Sequence, residues 1–467
     1  MNLRRHARTT RIAAATVGVA AVVAAGLTAG TGVASAAPAV VAHRITVSPD
    51  LTSAGRLPNS VTFGCQSRPM DGSQGARCYQ PAQIQNAYGI TPLLNKGTNG
   101  TGRTIVIVDA YSSPYVAQDL QIQDQTFGLP DTQFTQIAPQ GQTPFDSSDP
   151  TQVGWAEEIT LDVLWAHATA PGAKIELVLA KTSNDTDIYD ATKYAVDNNL
   201  GDVISQSFGE AETCMDPTLL AEQHQLFAQA SQKGITLFAS SGDSGASQFN
   251  CDGTAAILAA SSPASDPYVT GVGGTSLLAD SSTGAYQGET AWTEPFGCNP
   301  PAVAENDVNC SGGGFSTIYS RPAFQASAIS NPRSGRGVPD VAYNAGIAGG
   351  VLTHCGICNV SVGLDPTAPT FFIFGGTSAG SPQWAGLIAD ADQLANRRLG
   401  DINPALYTLA RSRSQYPKSL HDVTTGNNDV AEIGNQGYNA GSAWDAVTGL
   451  GTPNAANLLP ALAARTS

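Results

Sequence analysis

The sequence predicts an α/β fold in which a mainly parallel β-sheet is flanked by helices. Between residues 103 and 272, short β-branched and aliphatic runs alternate with longer segments that have the apolar spacing of helices. This alternation is typical of βαβ units, whose strands run parallel and whose ligand-binding loops follow the carboxyl ends of the strands. Residues 281–350 are richer in Gly, Pro and Asn, and they predict loops with short antiparallel strands.

The individual elements follow from the same patterns. RTIVIVD at 103–109 and KIELVLA at 174–180 are almost continuously apolar, as expected for strands buried on both faces. Further strands are predicted at 202–208, 235–240 and 268–272. Helices are predicted at 116–127, 152–168, 185–199 and 217–233, and Pro171-Gly172 ends the second of them.

The first 36 residues have the three parts of a secretory signal peptide. Four arginines precede an apolar run at 12–27, and Ala34-Ser35-Ala36 provides a cleavage site of small residues. The apolar run is short for a membrane span, although a retained membrane anchor is the alternative. We therefore predict a secreted, extracellular protein.

The composition excludes several classes of partner. Charged residues make up 13% and hydrophobic residues 42% of the chain, as in globular proteins. Four of the 23 basic residues and none of the 38 acidic residues lie in the first 36 positions, which leaves 19 basic residues after export. Nucleic acid and anionic membranes are therefore unfavourable partners. The excess of carboxylates also suits a protein that works in acid, and we expect a monomer.

All eight cysteines follow the predicted signal peptide, and an oxidising compartment favours disulfides. Proximity in the sequence suggests the pairs Cys65–Cys78, Cys214–Cys251, Cys298–Cys310 and Cys355–Cys358, although spacing alone does not determine connectivity. Cys355 and Cys358 also have the spacing of a redox or metal pair. Since the exported part has no second CxxC, a structural bridge is the preferred interpretation.

The stretch 371–391, FFIFGGTSAGSPQWAGLIADA, has the pattern of a strand, a glycine turn and a helix. Its first four residues are aromatic or β-branched, and Gly375-Gly376 allow a sharp turn. Ser378 then stands where the helix begins, with Pro382 in the first turn. A serine here has its hydroxyl exposed at a sheet edge beside a helix N-terminus, which suits a nucleophile. The alternative is a serine that only caps the helix.

Glu158 and Asp162 are the candidate acid–base pair. They are four residues apart in the predicted helix 152–168 and share one face of it. Their neighbours are apolar, so two partly desolvated carboxylates this close do not both ionise readily. A carboxylate in such a setting can act as general base in acid, and no histidine lies in a His-Gly-Thr-His segment. The alternative is a pair of acids on a solvent-exposed helix face.

Asp243 lies in SSGDSG, residues 240–245, directly after a predicted strand. An aspartate in a glycine turn is usually a turn residue. In acid, a neutral carboxyl can instead donate a hydrogen bond to an oxyanion. Asp109, at the end of the strand 103–109, is a further acid that either joins the same network or only starts a turn.

Together these motifs resemble the sedolisins, the serine-carboxyl peptidases. GGTSAGSP contains the family's GTSxxxP segment, Glu158 to Asp162 its ExxxD pair, and SSGDSG its oxyanion-aspartate loop. Further agreement lies at 262–276, 311–316 and 338–342. The resemblance runs from about residue 79 to the C-terminus. It implies a subtilisin-like three-layer fold, Ser378 as nucleophile, Glu158 as base, Asp162 as its orienting partner and Asp243 as oxyanion donor. It also implies an acid-acting endopeptidase with protein or peptide substrates.

The resemblance further implies one calcium ion near the C-terminus. HDVT at 421–424 and AGSAWD at 440–445 look like the family's calcium loops. The implied ligands are hard oxygens of the kind Ca²⁺ prefers: the carboxylates of Asp422 and Asp445 and the backbone carbonyls of Val423, Gly441 and Ala443. The family usually has Gly at position 443, so a carbonyl ligand there requires backbone angles that alanine tolerates.

Three regions are predicted: a signal peptide at 1–36, an arm or short pro-segment at 37–80, and a peptidase domain with its calcium loops at 81–467. Sedolisins usually carry a long N-terminal prodomain, and the roughly 43 residues between the signal and the matching region are too few for one. We therefore expect a secreted bacterial type whose arm stays attached, or whose folding and inhibition are arranged differently.

Two other functions fit parts of the sequence. Residues 376–380 also match GxSxG, and Ser378, Asp401 and His421 follow the chain order of an α/β-hydrolase esterase. That triad leaves Glu158 and Asp162 unexplained. The third hypothesis is an inactive exported binding protein. The presence of all four catalytic residue types argues against it.

For the peptidase, a neutral Asp243 and an ionisable Glu158 predict that activity plotted against pH is bell-shaped, with its maximum at roughly pH 3 to 5.

Overall fold

The structure is a computed structural model that describes residues 78–294, 309–329 and 335–465, together with 43–47, 49–50, 62–67 and 298. The predicted signal peptide and most of the predicted arm lie outside the described residues. In the described ranges, no helix is both long and apolar enough to cross a membrane.

The main sheet is built from strands that lie between residues 104 and 344. In the described chain these are β1 (Thr104–Ala110), β2 (Phe134–Ile137), β3 (Lys174–Ala180), β4 (Val203–Gln206), β5 (Thr236–Ser240), β6 (Thr270–Ala279), β7 (Tyr286–Ala291) and β8 (Val341–Asn344). Their order is β7-β6-β5-β4-β1-β3-β2, and β8 also pairs with β6. Every neighbouring pair runs parallel except β6 and β7. The carboxyl ends of β1, β4 and β5 therefore lie side by side.

Helices cover both faces of this sheet. The longer ones are α1 (Val116–Phe127), α2 (Pro150–Thr169), α3 (Asp185–Asp197), α4 (Pro217–Gln232), α5 (Gly380–Ala395), α6 (Asn403–Ala410) and α7 (Ala455–Ala463). Short helices lie at Gly64–Ser67, Pro81–Ala87, Thr91–Leu94, Gly356–Ser361 and Tyr416–Ser419. In β1, Ile105 and Ile107 belong to the core under α2 and α5, whereas Val106 and Val108 belong to the core under α3 and α4. Burial on both faces explains why this strand is continuously apolar.

A second sheet precedes the candidate nucleophile. It contains β9 (Gly350–His354) and β10 (Phe371–Phe374), which pair antiparallel. His43–Val47 pairs with the other side of β10, and Cys78–Tyr79 pairs with β9. Among the side chains described for the predicted arm, Phe63 packs its ring against Phe371 at a centroid distance of 5.1 Å. This part of the arm thus lies against the strand that leads to Ser378.

The predicted α/β fold is confirmed, and the strands and helices predicted between 103 and 272 are present. The strand predicted at 268–272 extends to Ala279, however, and β2 was not predicted. The prediction for 281–350 is wrong in one respect. That stretch does contain antiparallel strands, but it also contributes β8, which runs parallel in the main sheet. Proximity in sequence favours antiparallel hairpins, and nothing local indicates that β8 pairs with the distant β6.

All four suggested cysteine pairs form disulfides in the structure: Cys65–Cys78, Cys214–Cys251, Cys298–Cys310 and Cys355–Cys358. The last bridge lies at the start of the helix Gly356–Ser361, and both of its cysteines are buried. Its burial fits the preferred interpretation as a structural bridge. Four disulfides also agree with an oxidising compartment.

Candidate active site

Helix α2 carries two of the candidate residues into the interior. Asp149 caps it by accepting a hydrogen bond from the Thr151 N–H at 2.9 Å, and Pro150 fits its first turn. The helix then packs against α5 at very short range, because a Cβ added to Gly386 would lie 2.8 Å from the Cβ of Thr169. Close packing of the two helices fixes the position of Glu158 relative to the residues at the start of α5.

The turn after β10 holds Ser378. Gly376 has a φ of 91°, which glycine adopts readily, and the chain then forms a single 3-10 turn at Thr377–Ala379 before α5 begins at Gly380. The expectation that the Ser378 hydroxyl is exposed at a sheet edge is wrong. The strand β10 is paired on both sides, and the turn packs against α2, β5, β6 and β8, so Ser378 is only 4% exposed.

Thr377 fixes the carboxyl of Asp243 beside this turn. Its N–H donates to Oδ1 of Asp243 at 2.8 Å and its hydroxyl donates to the same oxygen at 2.7 Å. The Gly242 N–H donates to the Thr377 hydroxyl oxygen at 3.2 Å, which orients that hydroxyl toward Asp243. A Cβ on Gly376 would lie 2.6 Å from Oδ2 of Asp243. Only glycine therefore lets this carboxyl approach the turn.

Part of the Asp243 side chain reaches the surface, but the surrounding protein still removes much of its hydration. This desolvation raises the pKa of Asp243 to about 6, although the two hydrogen bonds from Thr377 act in the opposite direction. Because Oδ1 accepts both of these bonds, Oδ2 is the oxygen left to carry a proton. Below about pH 6, Oδ2 of Asp243 therefore carries a proton and can donate a hydrogen bond next to the Ser378 turn.

Glu158, Asp162 and Asp109 form a buried cluster of carboxyls. All three side chains are fully buried, so the alternative of a solvent-exposed helix face is excluded. Burial raises the pKa of Glu158 well above its usual range, and the charges of Asp162 and Asp109 raise it further. Burial likewise raises the pKa of Asp162. Burial also raises the pKa of Asp109, and the charge of Asp162 raises it further. Asp109 is the penultimate residue of β1 and interacts with both other acids, so it joins the network and is more than a turn residue.

The Ser378 hydroxyl lies close enough to Glu158 to lower its pKa, but no hydrogen bond of regular geometry joins them. Catalytic hydrogen bonds are often long before substrate binds. The side chain of Ser207 stabilises the charged form of Asp162 and also donates to the Ser378 carbonyl oxygen at 3.4 Å. The sequence did not reveal these roles of Ser207 and Thr377, although each is adjacent to a recognised motif or strand end.

The esterase-type triad does not assemble. Asp401 accepts a hydrogen bond from the Asn403 N–H, and the charges acting on it come from Asp340, Arg336 and Asp266. His421 stacks on Tyr286 at a centroid distance of 3.9 Å. None of these described contacts involves Ser378, so this alternative is wrong for the folded chain.

The predicted calcium loops do come together. Asp422 accepts a hydrogen bond from the Ala443 N–H at 3.0 Å, and Asp445 accepts one from the Gly441 N–H at 2.9 Å. The Thr448 N–H donates to Oδ1 of Asp445 at 2.8 Å, and the Thr448 hydroxyl lies 3.4 Å from the Val423 carbonyl oxygen. In the described part of the chain, no three His, Cys, Asp or Glu residues form a metal cluster. The carboxylates of Asp422 and Asp445 and the nearby Val423 carbonyl are nevertheless oxygen donors of the kind that Ca²⁺ prefers. Ala443 has a φ of 63°, in the left-handed region that alanine disfavours.

The buried carboxyls predict that the protein loses stability as pH rises. A carboxyl whose folded pKa exceeds its unfolded value of about 4 binds more protons when folded, so the free energy of unfolding falls as pH rises from that value to the folded pKa. Glu158, Asp162, Asp109 and the fully buried Asp390 all act in this direction. We expect the melting temperature of Ser378→Ala, which cannot digest itself, to fall between pH 4 and pH 8.

Asp390 provides the control because both of its oxygens are buried without a partner in the described structure. Asp390→Asn removes this titrating group, so its melting temperature should depend less steeply on pH than that of the parent. A melting temperature that rises from pH 4 to pH 8, or an unchanged slope in Asp390→Asn, would contradict this assignment.

Comparison with known proteins agrees with the fold and the motifs. Residues 154–410 match the Subtilase family. The chain is 33% identical to kumamolisin from Bacillus sp. (strain MN-32) over 401 residues, which are 84% of this chain and 64% of kumamolisin. It is 30% identical to sedolisin from Pseudomonas sp. (strain 101) over 471 residues, which are 90% of this chain and 75% of that protein.

A solved structure is similar as well. Pseudomonas sedolisin, described as a serine-carboxyl proteinase complexed with two molecules of pseudo-iodotyrostatin, superposes with a TM-score of 0.68 at 29% identity. The match covers 82% of this chain and 97% of that one. The subtilisin-like fold expected from the motifs is thereby confirmed. The chain belongs to the sedolisin family of serine-carboxyl peptidases.

Proposed function

We propose that the protein is a secreted, acid-acting endopeptidase that cleaves protein or peptide substrates through Ser378, Glu158, Asp162 and Asp243. The observation that carries this proposal is the grouping of three fully buried carboxyls and one partly buried carboxyl around a single buried serine. Carboxyls with raised pKa values around a nucleophile are suited to proton transfer in acid.

In the first step, Ser378 Oγ attacks the carbonyl carbon of the scissile peptide bond and its proton passes to the carboxylate of Glu158. The protonated Glu158 then donates to the leaving amine as the carbon–nitrogen bond breaks. Water completes the cycle, with Glu158 again taking the proton while the ester bond to Ser378 is hydrolysed. Asp162 orients Glu158 as its carboxyl partner, and the two acids titrate together with Asp109 as one coupled cluster.

Asp243 stabilises the oxyanion that forms on the scissile carbonyl. Its Oδ1 is occupied by two donors from Thr377, so the protonated Oδ2 is free to donate to the oxyanion. Such a donor acts only while Asp243 is neutral, and its pKa of about 6 sets the alkaline limit of activity. The acidic limit belongs to the coupled cluster of Glu158, Asp162 and Asp109 as a unit.

Two assays, each made on the wild type and on Glu158→Gln, separate the proposed functions. A peptidase of this type hydrolyses denatured protein at pH 4, and Glu158→Gln abolishes that activity. An esterase hydrolyses ester substrates at pH 8 and tolerates Glu158→Gln. An inactive binding protein hydrolyses neither substrate. Ester hydrolysis that survives Glu158→Gln would overturn the proposal.

One Ca²⁺ ion completes the proposed peptidase. Asp422 and Asp445 would hold it through carboxylates, and Val423, Gly441 and Ala443 through carbonyls. When bound, the ion stabilises the fold by preferring the folded state. We therefore expect chelation, or Asp445→Ala, to lower the melting temperature and to speed self-digestion.

Ala443→Gly is expected to stabilise the calcium-loaded protein by about 1 kcal/mol, because it removes the steric strain of a left-handed alanine. Ala440→Gly is the matched control in the same loop. Ala440 does not have a positive φ, so glycine there only adds freedom to the unfolded chain and should lower stability. Thermal melts with excess calcium and with excess chelator measure both effects. A melting temperature that excess chelator leaves unchanged would contradict the proposed calcium site.

A further inference from the structure

A cavity of about 50 Å³ that is open to solvent lies beside the candidate active site. Trp155, one helical turn before Glu158 on α2, forms one wall, and Phe208 forms another, with their ring centroids 6.1 Å apart. Phe208 directly follows Ser207, whose hydroxyl contacts the Ser378 carbonyl. A peptide bound at Ser378 can therefore reach this cavity.

Two acids line the cavity together. Asp185 at the start of α3 and Glu210 after β4 both line the cavity, and they lie close enough for each carboxyl to shift the pKa of the other. Burial, followed by the charge of Asp185, raises the pKa of Glu210 to about 8. No lysine or arginine is among the described residues that line the cavity. The pair carries one negative charge when Asp185 is ionised and Glu210 is protonated, and no lysine or arginine among the described lining residues balances it.

Three polar atoms of the cavity lining have no partner within the described structure. They are Oε1 of Glu210, Oε1 of Gln223 on α4, and Nε1 of Trp155. Gln223 is 8% exposed and Trp155 is 1% exposed, so water compensates these groups poorly. Buried polar atoms normally have hydrogen-bond partners, so these three atoms are available to ordered water or to the polar atoms of a ligand. Two of the three atoms accept hydrogen bonds, which points to a ligand rich in donors.

The rest of the lining is apolar. Ile188, Phe208 and Pro263 contribute hydrocarbon surface, and Trp155 and Tyr189 contribute aromatic rings. Lysine and arginine side chains combine an apolar stem with a cationic head that carries only donors. Their heads also interact favourably with aromatic faces. A neutral aliphatic side chain would fill the same space and leave both acceptors unpaired.

We propose that this cavity is a substrate subsite that selects a lysine or arginine side chain. The alkyl stem lies along Ile188 and Phe208, and the cationic head donates to Oε1 of Glu210 and Oε1 of Gln223. Asp185 and Glu210 balance its charge. This inference rests on the proposed peptidase function, because the cavity acts through a peptide bound at Ser378.

The test uses sets of peptides, and the members of one set differ at one position only. From set to set, the varied position moves along the residues on both sides of the cleaved bond. Each position carries lysine, arginine, norleucine or glutamate, and kcat/KM is measured at pH 5. At one position, lysine and arginine should exceed norleucine by about tenfold or more, which corresponds to about 1.4 kcal/mol. Glutamate should be the poorest substrate there.

Asp185→Asn combined with Glu210→Gln removes the charge but keeps the shape of both side chains. The lysine-to-norleucine ratio at that position should fall to about one. Glu222→Gln is the matched control, since Glu222 is exposed and adjoins Gln223 but does not line the cavity. It should leave the ratio unchanged. Cleavage without any advantage for lysine or arginine, or an equal loss in Glu222→Gln, would overturn the subsite.

Binding to Ser378→Ala separates this inference from the proposed function. Calorimetry should show about tenfold tighter binding of the lysine peptide than of the norleucine peptide, and the double charge substitution should abolish the difference. If no peptide is cleaved by the wild type but this difference remains, the peptidase function fails and the subsite stands. If peptides are cleaved but the difference is absent, the subsite fails alone.

Discussion

Glu158→Gln is expected to reduce kcat by a factor of about 10² to 10⁴, the usual contribution of a general base. Glutamine keeps the shape of glutamate but cannot take the Ser378 proton. Initial rates on one peptide at pH 4, with active-site titration of both proteins, measure this effect. The KM should change little, because Glu158 acts on the serine and is not proposed to bind substrate.

The same substitution should raise stability at neutral pH. Burial raises the pKa of Glu158, so its carboxyl weakens the fold above the unfolded pKa, whereas an amide does not titrate. A loss of activity with a higher melting temperature at pH 7 cannot arise from misfolding. His421→Ala is the control: His421 stacks on Tyr286 and should leave kcat within about twofold of the wild type, a small effect on the scale of general base catalysis. A larger loss of kcat in His421→Ala than in Glu158→Gln would contradict the role of Glu158.

Asp243→Ala is expected to lower kcat by about 10² to 10³, the range found when one oxyanion donor is removed. Asp243→Asn should keep activity within about tenfold of the wild type, because it replaces a protonated carboxyl with an amide donor. The two Thr377 donors favour placing the amide oxygen at the position of Oδ1, so the NH₂ group takes the position of Oδ2. An equal loss of kcat in the two variants would show that Asp243 does not contribute to catalysis by donating a hydrogen bond.

The sequence was sufficient for the features that depend on local pattern. The strand 103–109 is apolar at the four positions, 105–108, that join the two cores, and the predicted helix 152–168 differs from α2 by two residues at its start and one at its end. The spacing of Glu158 and Asp162 on one helix face also held, and the structure adds that this face is fully buried. Burial of a helix on all sides depends on tertiary packing, so the pattern left a solvent-exposed face open as an alternative.

Features that depend on distant pairing were not predictable in this way. The close contact between Thr377 and Asp243 joins residues 134 positions apart, and it requires a Gly376 whose Cβ would occupy the space of the carboxyl. The pairing of β8 with β6 and the buried position of Ser378 have the same origin. The cavity beside Phe208 arises from α2, α3 and α4 together, and no one segment carries its signal.

The central claim is that a protonated Asp243 serves catalysis by Ser378, and the pH dependence of kcat/KM tests it most directly. For the wild type, we expect a bell-shaped profile with its maximum in acid and an alkaline limb near pH 6, where Asp243 loses its proton. Asp243→Asn donates at every pH, so its alkaline limb should move upward. A wild-type maximum near neutrality, or an alkaline limb that Asp243→Asn leaves in place, would contradict this mechanism.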